Sequence, residues 1–198
     1  LRLVRRLPMK VLLLTEKDVE QLLSIVEVME AVESAFREKG LGRVQMPAKL
    51  FLSYPKYSGD LRTMPSYLEQ LDVSAVKVVN VHPENPKKYG LPTVMATIIL
   101  VNPKNGAPLA IMGGARVTSM RTGAAGGVAA KYLARKDSKV VGLVGAGTQA
   151  RTQLTALLSL YGKLEEVRVW SRTEKTRDEY VTEMEATCGE LALSLIHI

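Results

Sequence analysis

The chain has 198 residues, of which 46% are hydrophobic and 24% charged, an ordinary balance for a globular protein long enough to bury a core. Its net charge of +7 is dispersed, with Arg2, Arg5 and Arg6 near the start, and aromatic residues make up only 5%. Nucleic-acid binding calls for basic runs interleaved with stacking side chains, which this sequence lacks; attraction of anionic small molecules accounts for the charge as well.

The opening LRLVRRLPMKVLLL sets basic residues ahead of an apolar patch, as a signal peptide does. That patch, Val11 to Leu14, falls short of the roughly 7 apolar residues such a segment needs, and Met9 stands just before the first periodic stretch. Residues 1–8 are therefore read as a leader outside the native fold, and residues 11–14 as a short strand. Thr15 with Asp18, and Ser24 with Glu27, have the spacing of capping pairs and start two helices. The second helix places Val28, Val32, Ala35 and Phe36 on one face and stops at Gly40.

From Ala48 to Met112 the period becomes that of strands, predicted over 49–53, 61–64, 73–81, 94–101 and 109–112. Turns fall at YPKYSGD, HPENPKKYG and NPKNGAP, and His82 is read as shaping the second of these turns rather than as an acid. The apolar run VMATIILV is far short of the roughly 20 residues that span a bilayer. A helical pattern rich in small residues follows in ARVTSMRTGAAGGVAAKYLARK. After Ser138 come a strand, a glycine turn, a helix over 148–161, a strand over 166–170 and a helix over 173–187. The single cysteine, Cys188, rules out an internal disulfide and fits a reducing, cytoplasmic location. The predicted class is α/β: an α+β domain over residues 9–136, then an α/β unit over residues 137–198.

Chemistry concentrates in a few segments. GAGTQA places Gly145, Gly147 and Ala150 in the G-x-G-x-x-G/A pattern between a strand and an amphipathic helix. Gly145 permits the tight turn, Gly147 lets the backbone approach a pyrophosphate, and the helix amides face the anion. The alternative is a tight strand–helix turn in some other α/β fold. The next strand ends VRVWSRT, with Ser171 and Arg172 where NAD enzymes usually carry an acid. A carboxylate would repel a 2′-phosphate and a guanidinium would bind one, so NADP(H) is favoured over NAD(H), against the alternative of a solvated arginine.

Lys77 interrupts the apolar strand AVKVVNV. Burying an amine is costly, so the residue is either at a solvated face or held for work on a carboxylate or a proton. Arg121 and Thr122 precede the glycine–alanine run of MRTGAAGG, which suits either an approaching anion or close helix packing beside an exposed arginine. Lys49 and Arg62 are further candidate cations, and no metal site is suggested.

Taken together, LRTMPSYL, VKVVNVHPENP, GLPTVMATIILVNPKNGAPLAIM, SMRTGAAGGVAAKYLARK and VGLVGAGTQA resemble the ornithine cyclodeaminase/mu-crystallin family, including its archaeal alanine dehydrogenases. The resemblance runs from about Met9 to near Thr187 and leaves out the closing LALSLIHI. It implies an N-terminal domain that binds substrate and forms a homodimer, joined to a Rossmann domain of which residues 137–198 are the first part. In relatives the lysine at the Lys77 position contacts the substrate carboxylate and takes part in proton transfer, and the arginine at Arg121 touches substrate and cofactor. Thr93, Thr148, Gln149 and the Ser171 position line the nicotinamide cofactor. Lys49 departs from the substrate-binding arginine of many relatives, and Arg62 matches an arginine of the alanine dehydrogenase-like members.

The implied activity is an NAD(P)H-dependent oxidoreductase acting at a C–N bond of a small amino acid or 2-oxo acid. The alternatives are ornithine cyclodeamination, giving proline and ammonia, and an NADPH-dependent binding protein of the mu-crystallin kind. The family's acid/base aspartate falls beyond residue 198, so the chain by itself is expected not to catalyse.

Overall fold

The computed structural model describes residues 10–162, 164–188 and 193–195, so the leader read at residues 1–8 lies outside the described residues. Two compact units are built. One runs to Leu22 and resumes over Arg37–Val117; the other takes Leu23–Phe36 and the described residues from Thr118 onward.

The first unit opens with β1 (Leu12–Leu14) and α1 (Glu16–Leu22), and the chain runs on into α2 (Ile25–Gly40), which the second unit holds as far as Phe36. Thr15 and Asp18 cap α1 reciprocally: the Asp18 N–H donates to Thr15 Oγ1 at 3.2 Å, and the Thr15 N–H donates to Asp18 Oδ2 at 2.8 Å. The Glu27 N–H donates to Ser24 Oγ at 3.3 Å in the same way. Phe36, expected on the buried face of α2, is 51% exposed: the helix buries Val28, Val32 and Ala35 only in part, and its apolar stripe has turned away by the last turns.

Strands follow: β2 (Val44–Gln45), β3 (Leu50–Tyr54), β4 (Gly59–Leu68), β5 (Val73–Val81), β6 (Val94–Val101) and β7 (Pro108–Gly113), with a short helix α3 (Asn85–Lys88) inside the HPENPKKYG turn. They form one sheet in the order β1-β7-β6-β5-β4-β2, with β3 also on β4. All pairs are antiparallel except β1 with β7. β4 extends well beyond the predicted 61–64 and runs through Pro65. The reason is local: β3 pairs with residues 59–63 and β2 with 67–68, so Pro65 falls where that edge has no ladder partner and its missing N–H costs nothing. After β7, Glu16 reaches back to cap the next helix, α4 (Ala115–Leu133), accepting the N–H groups of Ala115 at 2.7 Å and Arg116 at 3.0 Å.

The second unit is a strand–helix repeat: β8 (Val140–Val144), α5 (Thr148–Tyr161), β9 (Glu166–Trp170), α6 (Glu174–Cys188) and β10 (Leu193–Leu195). The strands are parallel in the order β10-β9-β8, and β10, from the segment outside the resemblance, pairs with Val167–Val169. Alternation puts Val141, Leu143, Val167 and Val169 on one face, where Leu154 of α5 and Tyr180 and Met184 of α6 cover them. Val141 and Leu143 are partly buried, whereas Leu154, Val167 and Val169 are fully buried, and each of these three stabilises by about 1.5–3 kcal/mol relative to exposure. α4 joins this core through its small residues. A Cβ on Gly123 would stand 2.5 Å from the Thr152 backbone of α5, and one on Gly127 3.0 Å from Ala156 Cβ. The glycines of TGAAGG are therefore spent on helix packing. Among the described residues no helix is long and apolar enough to cross a membrane.

Candidate substrate and dinucleotide sites

Strand register decides which side chains of the first unit share a face. Lys77 of β5 lies opposite Met64 of β4 and Ile98 of β6; one step along, Arg62 lies opposite Phe51 of β3 and Val79 of β5. Residues two apart on a strand point the same way, so Arg62 and Lys77 occupy one face. Lys49 stands one residue before the first β3 pair, outside the ladder. Two sequence candidates, Arg62 and Lys77, are thus brought to one face.

Their environments differ. Lys49 is exposed, whereas Lys77 is half-buried within an apolar strand. Arg62 is anchored: its Nη2 donates to Asp60 Oδ2 at 2.7 Å, and its guanidinium lies 5.3 Å from the Phe51 ring centre. Asp60 was missed in the sequence, although D-x-R within a strand places both side chains on one face. Thr93 immediately precedes β6, and its carbonyl accepts the His82 N–H at 2.8 Å. His82 stacks on Tyr54 with ring centres 6.1 Å apart and covers Gly59, as a turn-shaping residue does. It borders a depression of about 380 Å³ whose Lys88 is already paired with Glu84. Among the described residues no group of three or more His, Cys, Asp or Glu is placed to hold a metal.

In the second unit Gly145 has φ of +107°, a conformation that side chains disfavour, and its N–H donates to the Trp170 carbonyl at 2.8 Å. Gly147 is the extended residue before α5, and a Cβ there would project into open space above the turn. The backbone is thus bare where a pyrophosphate would lie, with exposed Thr148 and Gln149 opening the helix behind it. The Gly145–Trp170 bond brings the end of β9 alongside, so half-buried Ser171 and exposed Arg172 follow at the same edge of the sheet. Glu165 and Glu166 sit at the opposite end of β9, with Lys139 paired to Glu165.

Thr122 of α4 is tied to α5 by Gln153 Nε2, which donates to the Thr122 carbonyl at 3.3 Å, while its hydroxyl donates to the Thr118 carbonyl at 2.7 Å; Arg121 is exposed. Missed in the sequence was Arg151, in the first turn of α5. It binds Glu183 of α6 through Nε at 2.8 Å and the Ala146 carbonyl of the glycine turn through Nη1 at 2.9 Å. The hydrogen bond to Glu183 raises the arginine further above its ordinary pKa and holds the Glu183 carboxyl below the usual carboxylate range.

A glycine turn at the carboxyl end of a parallel strand, with a long helix behind it and a second strand end beside it, is the arrangement with which a Rossmann-type fold begins. Residues 9–194 match the ornithine cyclodeaminase/mu-crystallin family, and the chain belongs to that family. It is 51% identical over 174 residues to an alanine dehydrogenase of Archaeoglobus fulgidus, covering 88% of this chain and 52% of that protein. Among solved structures it matches the Δ1-pyrroline-2-carboxylate reductase of Thermococcus litoralis in complex with NADH and L-proline, with a TM-score of 0.88 and 47% identity over 94% of this chain and 57% of that one. An archaeal alanine dehydrogenase dimer with bound NAD matches with a TM-score of 0.88 and 48% identity over 96% of this chain and 57% of that one. The chain spans about half the length of the curated relatives it matches.

Proposed function

We propose that the protein is a cytoplasmic NAD(P)H-dependent oxidoreductase acting at a carbon–nitrogen bond, on a small imino acid or on a 2-oxo acid with ammonia. The observation that carries this reading is the placing of Arg62 and Lys77 on one sheet face, in a chain whose second unit has a glycine turn of dinucleotide-binding pattern. The alanine dehydrogenase and pyrroline-2-carboxylate reductase named above support the choice of reaction.

When bound, the nicotinamide supplies or accepts a hydride at the substrate α-carbon. Arg62, oriented by Asp60, and Lys49 hold the substrate carboxylate as charge-assisted partners. Lys77 Nζ binds the same carboxylate and moves a proton at the reacting nitrogen or oxygen. Arg121 and Thr93 border substrate and cofactor. Gly145, Gly147, Thr148 and Gln149 cradle the pyrophosphate, and Thr122 keeps α4 against the helix behind it.

Ser171 and Arg172, in place of an acid at the end of β9, favour NADP(H). The face opposite Lys77 carries exposed Leu13, Leu50, Leu52, Leu109 and Ile111, an apolar surface suited to a second copy, which fits a homodimer. The test is NAD(P)H oxidation, by the protein carried to the full length of the relatives it matches, with pyruvate and ammonia and with a cyclic imino acid, with ammonia release from ornithine followed in parallel. Reduction of either acceptor is the expected result. Ammonia from ornithine without net oxidation of the nicotinamide would replace the reading with cyclodeamination.

A further inference from the structure

The glycine turn has a mechanical difficulty. Gly145 and Gly147 give it the conformation a pyrophosphate needs, but glycine has the most backbone freedom to lose, so the turn does not hold that conformation by itself. Arg151 also breaks a local rule. It stands in the first turn of α5, where the helix dipole disfavours a cation, and it is only 27% exposed. A residue that costs local stability at such a place calls for a compensating role.

Its contacts supply one. The guanidinium is shared between Glu183 Oε1 and Oε2, both 2.8 Å from Nε, and the Ala146 carbonyl, 2.9 Å from Nη1. Its plane packs on Tyr180 of α6, 5.2 Å from the ring centre, and Tyr180 is fully buried. The Tyr180 hydroxyl donates to the Ala150 carbonyl at 3.2 Å. Ala146 lies between the two glycines and Ala150 closes the motif, so α6 grips the turn on both sides of Gly147. Glu183 neutralises the cation and fixes its orientation at once.

We propose that Arg151 is a positioning residue for the dinucleotide: with Glu183 and Tyr180 it braces the glycine turn from α6 so that the turn's amides are preorganised for the pyrophosphate. The proposal rests on the dinucleotide reading of the turn, and its test separates the two. Amide hydrogen exchange over residues 145–150, NADPH affinity by fluorescence titration and thermal midpoint are measured for the chain and for Arg151→Met, Arg151→Lys and Glu183→Gln.

The expected result is faster exchange confined to the turn in Arg151→Met, with NADPH bound about tenfold more weakly, the effect of losing a hydrogen bond to a charged group. Glu183→Gln changes an exposed side chain and should show the same pattern more weakly, while Arg151→Lys restores part of the affinity. A merely structural brace would lower the thermal midpoint in Arg151→Met and Glu183→Gln while leaving NADPH affinity unchanged, and that outcome overturns the positioning role. If Arg151→Met unfolds the unit, unchanged turn exchange in both Glu183→Gln and Arg151→Lys overturns the proposal. A parent chain that binds neither NADPH nor NADH, yet shows the turn loosened in the variants, refutes the dinucleotide reading and supports the brace.

Discussion

The two units put their functional groups in place by different means. In the first, long antiparallel strands carry cations on one face and exposed leucines on the other, and Arg62 and Lys77 become neighbours only because β4 and β5 pair in one register. A slip of one residue would send one of them to the opposite face. In the second, the residues that shape the turn are contiguous in sequence, and the core beneath them is a single sheet face covered by α5 and α6. A site built from register depends on the whole sheet, whereas one built from a local motif depends on whatever braces the motif.

The largest effect expected from separating the two is in Lys77→Ala, made in the protein carried to the full length of its relatives. Turnover should fall by about 10²–10⁴, the loss of a positioned acid/base, with NADPH affinity retained. Normal kcat would return Lys77 to the class of surface lysines.

Leu154→Ala should destabilise the second unit by about 2–5 kcal/mol, because the side chain is fully buried beneath β8 and β9. Leu50→Lys, at a side chain 71% exposed, should leave the thermal midpoint of dilute protein nearly unchanged while weakening self-association in sedimentation. Equal thermal losses in the two variants would erase the distinction between a closed core and an open apolar face.

Arg172→Ala should weaken NADPH by about tenfold or more and NADH very little, since only the 2′-phosphate gains from the guanidinium. Equal weakening of both would remove the basis for NADP(H) preference.

The smallest effects concern pH. Asp18 in the first unit and Glu183 in the second both have lowered carboxyl pKa values, from hydrogen bonds to Thr15 and to Arg151 respectively. A depressed folded-state pKa contributes stability that is complete above the usual carboxylate range and is lost as pH falls through the lower folded value. Thermal midpoints on acidification should therefore fall less steeply in Asp18→Asn and Glu183→Gln than in the parent, and parallel curves would contradict the shifts.

Uninterrupted period made much of the fold legible: strands 73–81 and 94–101, helix 148–161 and strand 166–170 stand as read. The predicted strand 61–64 stops at Pro65, whereas β4 runs through it, because tolerance of the proline depends on a gap between two other strands. Phe36 looked buried because period predicts a face, not what covers it. The glycines of α4 left ligand and packing equally open until α5 was seen against them.

By itself the sequence determined the class of fold, the glycine turn, the absence of an acid at the end of β9 and the identity of the candidate cations, because each is written in neighbouring residues or in a simple period. Only the tertiary structure decided that Arg62 and Lys77 share a face, that Asp60 orients Arg62, and that Arg151 grips the turn beside a residue thirty-two positions away. Those facts are set by strand register and by helix packing across the sheet, and both are chosen by the burial of the whole unit rather than by any local stretch of chain.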